Sequence, residues 1–130
     1  MNLSIFTDGA CKGNPGQMGI GIVIKKDNKI IKKISKQIGF GTNNIAEMTA
    51  IKIALENARL LNATDVQINS DSQLSVRFIK KEYKCKKTHL MHILNGIFDL
   101  IGCFNSFSIN WIKRQENTIA DELANIGCEK

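Results

Sequence analysis

Four acidic residues of this chain lie in local sequences that would direct their carboxylates toward one point. They are Asp8, Glu47, Asp71 and Asp121. Hard oxygen ligands suit Mg²⁺, and two such ions about 4 Å apart can activate a water on one side of a phosphodiester and stabilise the leaving oxygen on the other. We therefore expect the four acids to hold two divalent cations against a phosphodiester, with Mn²⁺ as a substitute for Mg²⁺.

Each of these acids also has a plainer explanation when it is taken alone. Asp8 follows an alternating strand pattern and precedes a Gly-Asn-Pro-Gly turn, so an ordinary hairpin accounts for it. Glu47 lies near a helix start, where a carboxylate interacts favourably with the helix dipole. Asp71 and Asp121 also stand near helix starts, where acidic and capping residues are common. Only the four acids taken together indicate a metal site.

The hydrophobic pattern predicts the elements that would position these acids. Alternating apolar residues predict strands at 2–10, 18–26, 29–40, 65–70 and 106–113, and helical periodicity predicts helices at 43–61, 72–81, 88–103 and 117–127. Hairpins followed by strand-helix units predict an α/β fold with a mixed five-stranded sheet flanked by helices. Asp8 and Asp71 would then lie on neighbouring strands, with Glu47 and Asp121 on helices.

Length and composition predict one domain spanning residues 1–130. The chain is 43% hydrophobic, which is enough for a respectable core. No leader-like segment or run of about eighteen apolar residues is visible, so we expect a soluble, cytoplasmic monomer with no membrane partner. The four cysteines lack zinc-site spacing and are interpreted as free thiols, with a disulfide as the open alternative. They are Cys11, Cys85, Cys103 and Cys128.

The formal net charge of +6 indicates attraction to a polyanion. Lysines between Lys25 and Lys36 are interpreted as the solvated face of early strands. A second cluster, which we call the lysine segment, follows the predicted helix 72–81 and surrounds Tyr83. It contains Lys80, Lys81, Lys84, Lys86 and Lys87. Lysines that neutralise phosphates make binding salt-dependent, and we expect this segment to do so.

Four motifs taken together resemble those of type 1 ribonuclease H. They are TDGACKGNPG, TNNIAEMTA, NSDSQL and RQENTIADELAN, in this order, and they span almost the whole chain. The resemblance implies a ribonuclease H-like fold, two Mg²⁺ ions and an RNA/DNA hybrid whose RNA strand is cut to 5′-phosphate and 3′-hydroxyl ends. Duplex RNA is a further candidate substrate. The chain is most similar to compact, archaeal-type members that lack a basic protrusion.

The resemblance also implies residues that contact the substrate. Those expected to read RNA 2′-hydroxyls are the backbone near Cys11 and the side chains of Asn14, Asn44 and Gln73, and those expected at a DNA-strand phosphate are Thr42 and Asn43. A plainer interpretation makes each a turn or cap residue. Many relatives place a histidine shortly before the last aspartate, and this chain has none there. Arg114 and Glu116 are therefore candidate auxiliary residues, or simply surface residues.

Two other functions fit the same sequence. One is a binding module of the same fold that recognises hybrids or duplex RNA without cutting them, although such a module has no chemical need for four mutually repelling carboxylates. The other is a domain detached from a reverse transcriptase or transposase, and the GNPG turn favours ribonuclease H over that alternative.

Overall fold

A five-stranded sheet with helices packed on it forms the centre of the computed structural model, which describes residues 1–130. The strands are β1 (Asn2–Lys12), β2 (Gly16–Lys26), β3 (Lys29–Gly41), β4 (Asp65–Ser70) and β5 (Ser106–Trp111). The helices are α1 (Asn43–Leu60), α2 (Gln73–Ile79), α3 (Thr88–Ile101) and α4 (Thr118–Gly127), and a short 3-10 turn spans Arg114–Glu116. The predicted mixed α/β fold is confirmed. No helix is long and apolar enough to cross a membrane.

The sheet topology brings two of the acids to the same level. The strand order is β3-β2-β1-β4-β5. β1 pairs antiparallel with β2 and parallel with β4, and the last β1–β4 partners are Thr7 and Ser70. Asp8 therefore lies where β1 loses its parallel neighbour, and Asp71 follows directly after the end of that neighbour. The two predicted strands are neighbours, with Asp8 on β1 and Asp71 one residue beyond the end of β4.

Several element ends differ from the sequence-based bounds for identifiable reasons. β1 continues to Lys12 rather than residue 10 because its last residues still pair with β2. α2 ends at Ile79 rather than residue 81, and Lys81 adopts a left-handed conformation (φ 62°) that a helix does not contain. β5 ends at Trp111 because the chain then enters the 3-10 turn. These differences move no acid to another element.

The main core lies between the sheet and the layer of α1 and α3. Its fully buried members include Ile5, Ile22, Ile51, Leu55 and Ile97, each with no exposed side-chain surface. Complete burial of such a side chain stabilises the fold by about 1.5–3 kcal/mol. This core fixes α1, the helix that carries Glu47, against β1.

Two glycines on the other face of β2, Gly19 and Gly21, allow α4 to approach the sheet closely. Gly21 pairs directly with Asp8, and a Cβ atom there would lie 2.1 Å from the carbonyl oxygen of Ala120. Gly19 is equally close to the backbone of α4. Because Asp121 belongs to α4, the missing side chains on β2 set how near this acid comes to Asp8.

We predict that Gly21→Ala destabilises the protein by about 2 kcal/mol or more, because backbone atoms of α4 must move to admit the methyl group. Urea unfolding measures the change. Gly102→Ala is the matched control: its new Cβ would meet nothing closer than 3.4 Å, and Gly102 already has a helical backbone. Equal stability of Gly21→Ala and the wild type would contradict this account of the packing.

The cysteines form no disulfide in the structure. Cys85 and Cys128 are buried, Cys11 is half-buried and Cys103 is exposed. The Cys11 thiol donates a hydrogen bond to the carbonyl oxygen of Gly41 over 3.2 Å. The interpretation of all four as free thiols agrees with the structure.

Candidate active site

Three of the four predicted acids meet at the end of β1. Asp8, Glu47 and Asp71 each offer a carboxylate oxygen, and these atoms all lie within 4.8 Å of one another. Asp8 is only 5% exposed. The N-cap of α2 is Ser72, whose hydroxyl accepts a hydrogen bond from the backbone N–H of Ser75 over 3.2 Å. Asp71 is therefore not needed as a cap, and its carboxylate is free for the cluster.

Glu47 reaches the cluster because α1 packs directly on the backbone of β1. The helix begins at Asn43, so Glu47 lies just beyond the first turn, near the helix start as the sequence predicted. The Gly9 N–H donates a hydrogen bond to the Glu47 carboxylate. A Cβ on Gly9 would lie 2.4 Å from the backbone of Ala46, so only glycine permits this approach. Glu47 is thus held by β1 rather than by a dipole effect.

Asp121 lines the same cleft but stands outside the group of three. Its carboxylate Oδ1 lies 3.8 Å from Nη2 of Arg114 and accepts a hydrogen bond from Nδ2 of Asn125 over 3.4 Å. Asn125 also donates to the Asp121 carbonyl oxygen over 2.9 Å. The structure therefore brings all four acids to one cleft, with three in close contact and the fourth held beside them by a cation and an amide.

Asn117 is a structural residue of the site that the sequence did not reveal. It precedes α4, yet its side chain does not cap the helix. Instead, the buried Nδ2 of the Asn117 side chain donates to the carbonyl oxygen of Thr7 over 2.9 Å. The backbone carbonyl oxygen of Asn117 accepts from the Asp121 N–H over 3.0 Å. Asn117 thereby ties the strand residue before Asp8 to the turn that carries Asp121. An Asn before a helix predicts a cap, and no local signal predicts this contact.

The close packing of carboxylates changes their proton affinity. Burial, followed by the negative charge of Glu47, raises the pKa of Asp8 to about 11. Burial is also the main cause that raises the pKa of Glu47 to about 7. The pKa of Asp71 is raised by burial, against the lowering effects of Asp8 and Arg114. Without cations, the cluster resists full ionisation at neutral pH.

This donor set fits divalent magnesium or manganese. Every donor atom in the group of three is a carboxylate oxygen, which is the ligand type that Mg²⁺ and Mn²⁺ prefer. Burial and neighbouring carboxylates raise the pKa values of Asp8 and Glu47, and a bound dication would favour their ionised forms. Asp8, Glu47, Asp71 and Asp121 are the residues that could hold such ions.

The rim of the cleft contains several of the residues predicted to contact substrate. The cleft has a volume of about 470 Å³, and its wall includes Cys11, Asn43, Asn44 and Arg114. Asn14 lies next to this wall, because its Oδ1 accepts a hydrogen bond from the Asn43 N–H over 3.2 Å. These side chains are polar and mostly exposed, as a site for an extended polar ligand requires.

Three other predicted residues lie outside the cleft wall. Thr42 caps α1, with its hydroxyl accepting from the Ile45 N–H over 3.3 Å. Gln73 is exposed in a neighbouring groove that also contains Trp111. The Glu116 carboxylate accepts from the Lys113 N–H over 3.1 Å and so closes the short turn before α4. Their proposed roles toward substrate remain predictions.

Comparison with known proteins assigns the family. Residues 6–127 match the family described as "Reverse transcriptase-like". A protein named ribonuclease H from Actinobacillus pleuropneumoniae is 37% identical over 139 residues, which cover 96% of this chain and 89% of that protein. The chain belongs to the ribonuclease H family. Its sequence also matches mycobacterial proteins, and it spans only 35% of their length.

Solved ribonuclease H structures agree with this assignment. RNase H1 from the archaeon Halobacterium salinarum superimposes with a TM-score of 0.96 at 31% identity, covering 99% of this chain and 98% of that one. LC11-RNase H1, solved in complex with an RNA/DNA hybrid, gives a TM-score of 0.92 at 32% identity, covering 98% and 96%. As in the predicted compact form, residues 80–87 join α2 to α3 without an additional helix.

Proposed function

We propose that this ribonuclease H family chain is an endonuclease that hydrolyses the RNA strand of RNA/DNA hybrids. The observation that carries the proposal is the meeting of Asp8, Glu47 and Asp71 within 4.8 Å in one open cleft. The hybrid bound to the similar LC11-RNase H1 supports the choice of substrate. We further propose two Mg²⁺ ions and products with 5′-phosphate and 3′-hydroxyl ends, and we expect the chain to act as a monomer.

The four acids would hold the ions, and the rest of the site keeps those acids in place. Bound ions supply the activation of a water and the stabilisation of the leaving oxygen. The Gly9 N–H fixes the Glu47 carboxylate, and Asn117 ties the Thr7 backbone to the Asp121 backbone. Arg114 places a guanidinium beside Asp121, where a cation can stabilise negative charge that develops on the phosphate. Preorganisation of this kind avoids reorganisation during the reaction.

Selection of RNA requires contacts with 2′-hydroxyl groups. These groups lie in the wide, shallow minor groove of an A-like duplex, within reach of short side chains and backbone groups. Asn44 and the backbone at Cys11 are on the cleft wall, and Asn14 is beside it. We propose that these residues read the RNA strand, and that Asn43 with Thr42 contacts the backbone of the DNA strand.

A panel of nucleic acids tests the substrate class. The purified chain is incubated with an end-labelled RNA/DNA hybrid, single-stranded RNA, duplex DNA and duplex RNA, each with Mg²⁺ or Mn²⁺. We expect cutting of the RNA strand of the hybrid, and phosphatase or ligase treatment of the products identifies their ends. Cutting of duplex RNA as well would widen the substrate class. Tight hybrid binding without cutting in either metal would instead support a binding module.

The lysine segment should contribute phosphate contacts to hybrid binding. We predict that the triple variant Lys84→Gln, Lys86→Gln and Lys87→Gln weakens binding and lowers the slope of log affinity against log salt by up to about two to three. Fluorescence anisotropy of a labelled hybrid measures the slope. Lys26→Gln, Lys29→Gln and Lys33→Gln remove the same charge from the β2–β3 region. An equal fall of the slope in both triple variants would show that only net charge matters.

A further inference from the structure

A second groove lies next to the acid cleft and is lined by a different set of residues. It has a volume of about 240 Å³ and is lined by Gln73, Val76, Arg77, Lys80, Glu82 and Trp111. Trp111 ends β5, while the first four residues belong to α2 or its C-terminal end. We call it the Trp111 groove. Its volume is below the range for sites that hold drug-sized ligands, which is about 300–1,000 Å³.

The indole of Trp111 is both exposed and fixed in place. Its exposed fraction is 49%, which is high for the largest aromatic side chain. Its Nε1 donates a hydrogen bond to the carbonyl oxygen of Asp71 over 3.3 Å. The indole is therefore hydrogen-bonded to the backbone of Asp71, which is a proposed metal ligand. The Trp111 groove therefore adjoins the acid cleft on the side of Asp71.

Charged residues around the indole favour a phosphate-bearing ligand. Arg77 and Lys80 line the groove as cations, and Glu82 is the carboxylate among the lining residues. The Arg77 guanidinium also stacks over the ring of Tyr83, with 5.2 Å from its central carbon to the ring centroid. This stacking restrains the Arg77 side chain beside α2. Gln73 adds an amide that can hydrogen-bond with a base edge.

Unpaired bases fit this combination better than a duplex does. In a duplex the faces of the bases are stacked on their neighbours, so an indole at its side meets base edges, sugar and phosphate but no base face. An unpaired base can stack on an exposed aromatic ring, and cations beside that ring then neutralise the backbone. The small volume of the groove also suits one flat ring system rather than two strands.

We propose that the Trp111 groove binds single-stranded RNA that continues from the RNA strand of a hybrid. This inference rests on the proposed function, in which the acids act on the RNA strand. Trp111 is hydrogen-bonded to the backbone of Asp71, so the strand beside the groove is the RNA. The enzyme is thereby directed to places where a hybrid ends in an unpaired RNA segment. Such a preference would be set by Trp111, Arg77 and Lys80 rather than by the acid cleft.

Trp111 is the single tryptophan of the chain, so its own fluorescence reports on the groove. The wild-type protein is titrated in EDTA, which prevents cleavage, with a single-stranded RNA, a blunt hybrid, and the hybrid carrying an RNA overhang of about six nucleotides at either end. We expect quenching by the single strand and by at least one overhang hybrid, with roughly 10- to 100-fold weaker binding in the Arg77→Gln, Lys80→Gln variant, which loses two cationic contacts to phosphate. Lys29→Gln, Lys33→Gln is the charge-matched control and should bind as the wild type does.

Two results would overturn the inference. One is the absence of quenching by single-stranded RNA, and the other is equal quenching by the blunt and overhang hybrids, which would assign the groove to duplex backbone. Cleavage of the blunt hybrid in Mg²⁺ is measured in parallel and reports on the proposed function alone. Cleavage without quenching refutes only the groove, whereas quenching without cleavage refutes only the nuclease.

Discussion

Asp71→Asn is expected to lower the rate of RNA cleavage on the order of 10³-fold while hybrid affinity stays within about threefold. The substitution keeps the size of the side chain and removes one of the three carboxylates that meet within 4.8 Å. Ser72, not Asp71, caps α2, so the fold does not depend on this carboxylate. Single-turnover cleavage in Mg²⁺ and anisotropy of a labelled hybrid measure the two quantities separately.

Asp99→Asn is the matched control for this prediction. Asp99 is an exposed acid on α3, and it lines none of the cleft. Its replacement makes the same change in net charge and should leave cleavage unchanged. Substantial cleavage by Asp71→Asn, under conditions where Asp99→Asn matches the wild type, would show that the carboxylate cluster is not the catalytic centre.

Asp8→Asn is expected to stabilise the metal-free protein at neutral pH. Burial and the charge of Glu47 raise the pKa of Asp8 to about 11, from an ordinary value of 3.8. The folded state therefore binds this proton more tightly than the unfolded state, and stability falls as pH rises above about 4. An amide carries no such penalty. In EDTA at pH 7 we expect the free energy of unfolding to rise by about 2 kcal/mol, or roughly 5–10 °C in Tm.

The pH dependence and the metal dependence both check this result. The stability difference between Asp8→Asn and the wild type should vanish below about pH 4, where the carboxyl is protonated in both states. Mg²⁺ should stabilise the wild type more than the variant, since a ligand that binds only the folded state adds to its stability. Thermal unfolding across pH, with EDTA or Mg²⁺, gives both comparisons.

Asp65→Asn is the control for Asp8→Asn, because we expect it to change stability at pH 7 in the opposite direction. Hydrogen bonds from the hydroxyls of Ser106 and Thr64 lower the pKa of Asp65, so its carboxylate form stabilises the folded state above pH 4. Asp65→Asn should therefore lose stability at pH 7, where Asp8→Asn gains it. If Asp8→Asn also loses stability in EDTA, the acids of the cluster do not repel one another as we describe.

The positions of Asp8 and Asp71 were predictable because each depends on a local pattern. Each follows a run of alternating apolar residues that predicts a strand, and the resemblance to ribonuclease H implies that the two strands are neighbours. The structure pairs Thr7 with Ser70 and so places the two acids at one level. Local periodicity predicts the strands, whereas β2, β3 and α1 separate them along the chain, so their pairing came from the resemblance.

Other parts of the site depend on contacts that no local pattern contains. Asn117 reaches Thr7 across 110 residues of sequence, and the sequence placed it only at the start of the predicted helix 117–127. Gly21 resembles any strand glycine until α4 is seen to lie on it. Gln73 lies in the Trp111 groove and the Glu116 carboxylate closes a turn, two positions that no local pattern contains, and the roles of both residues toward substrate stay predictions.

The most direct test of the central claim is the fate of an end-labelled RNA strand in an RNA/DNA hybrid. The wild-type chain and Asp71→Asn are each incubated with it in Mg²⁺, in Mn²⁺ and in EDTA. Our account predicts internal cuts in the RNA by the wild type with either metal, no cuts in EDTA, and almost none by Asp71→Asn. Cutting that persists in EDTA, or an intact RNA strand with both metals, would contradict the assignment of this cleft as a metal-dependent nuclease site.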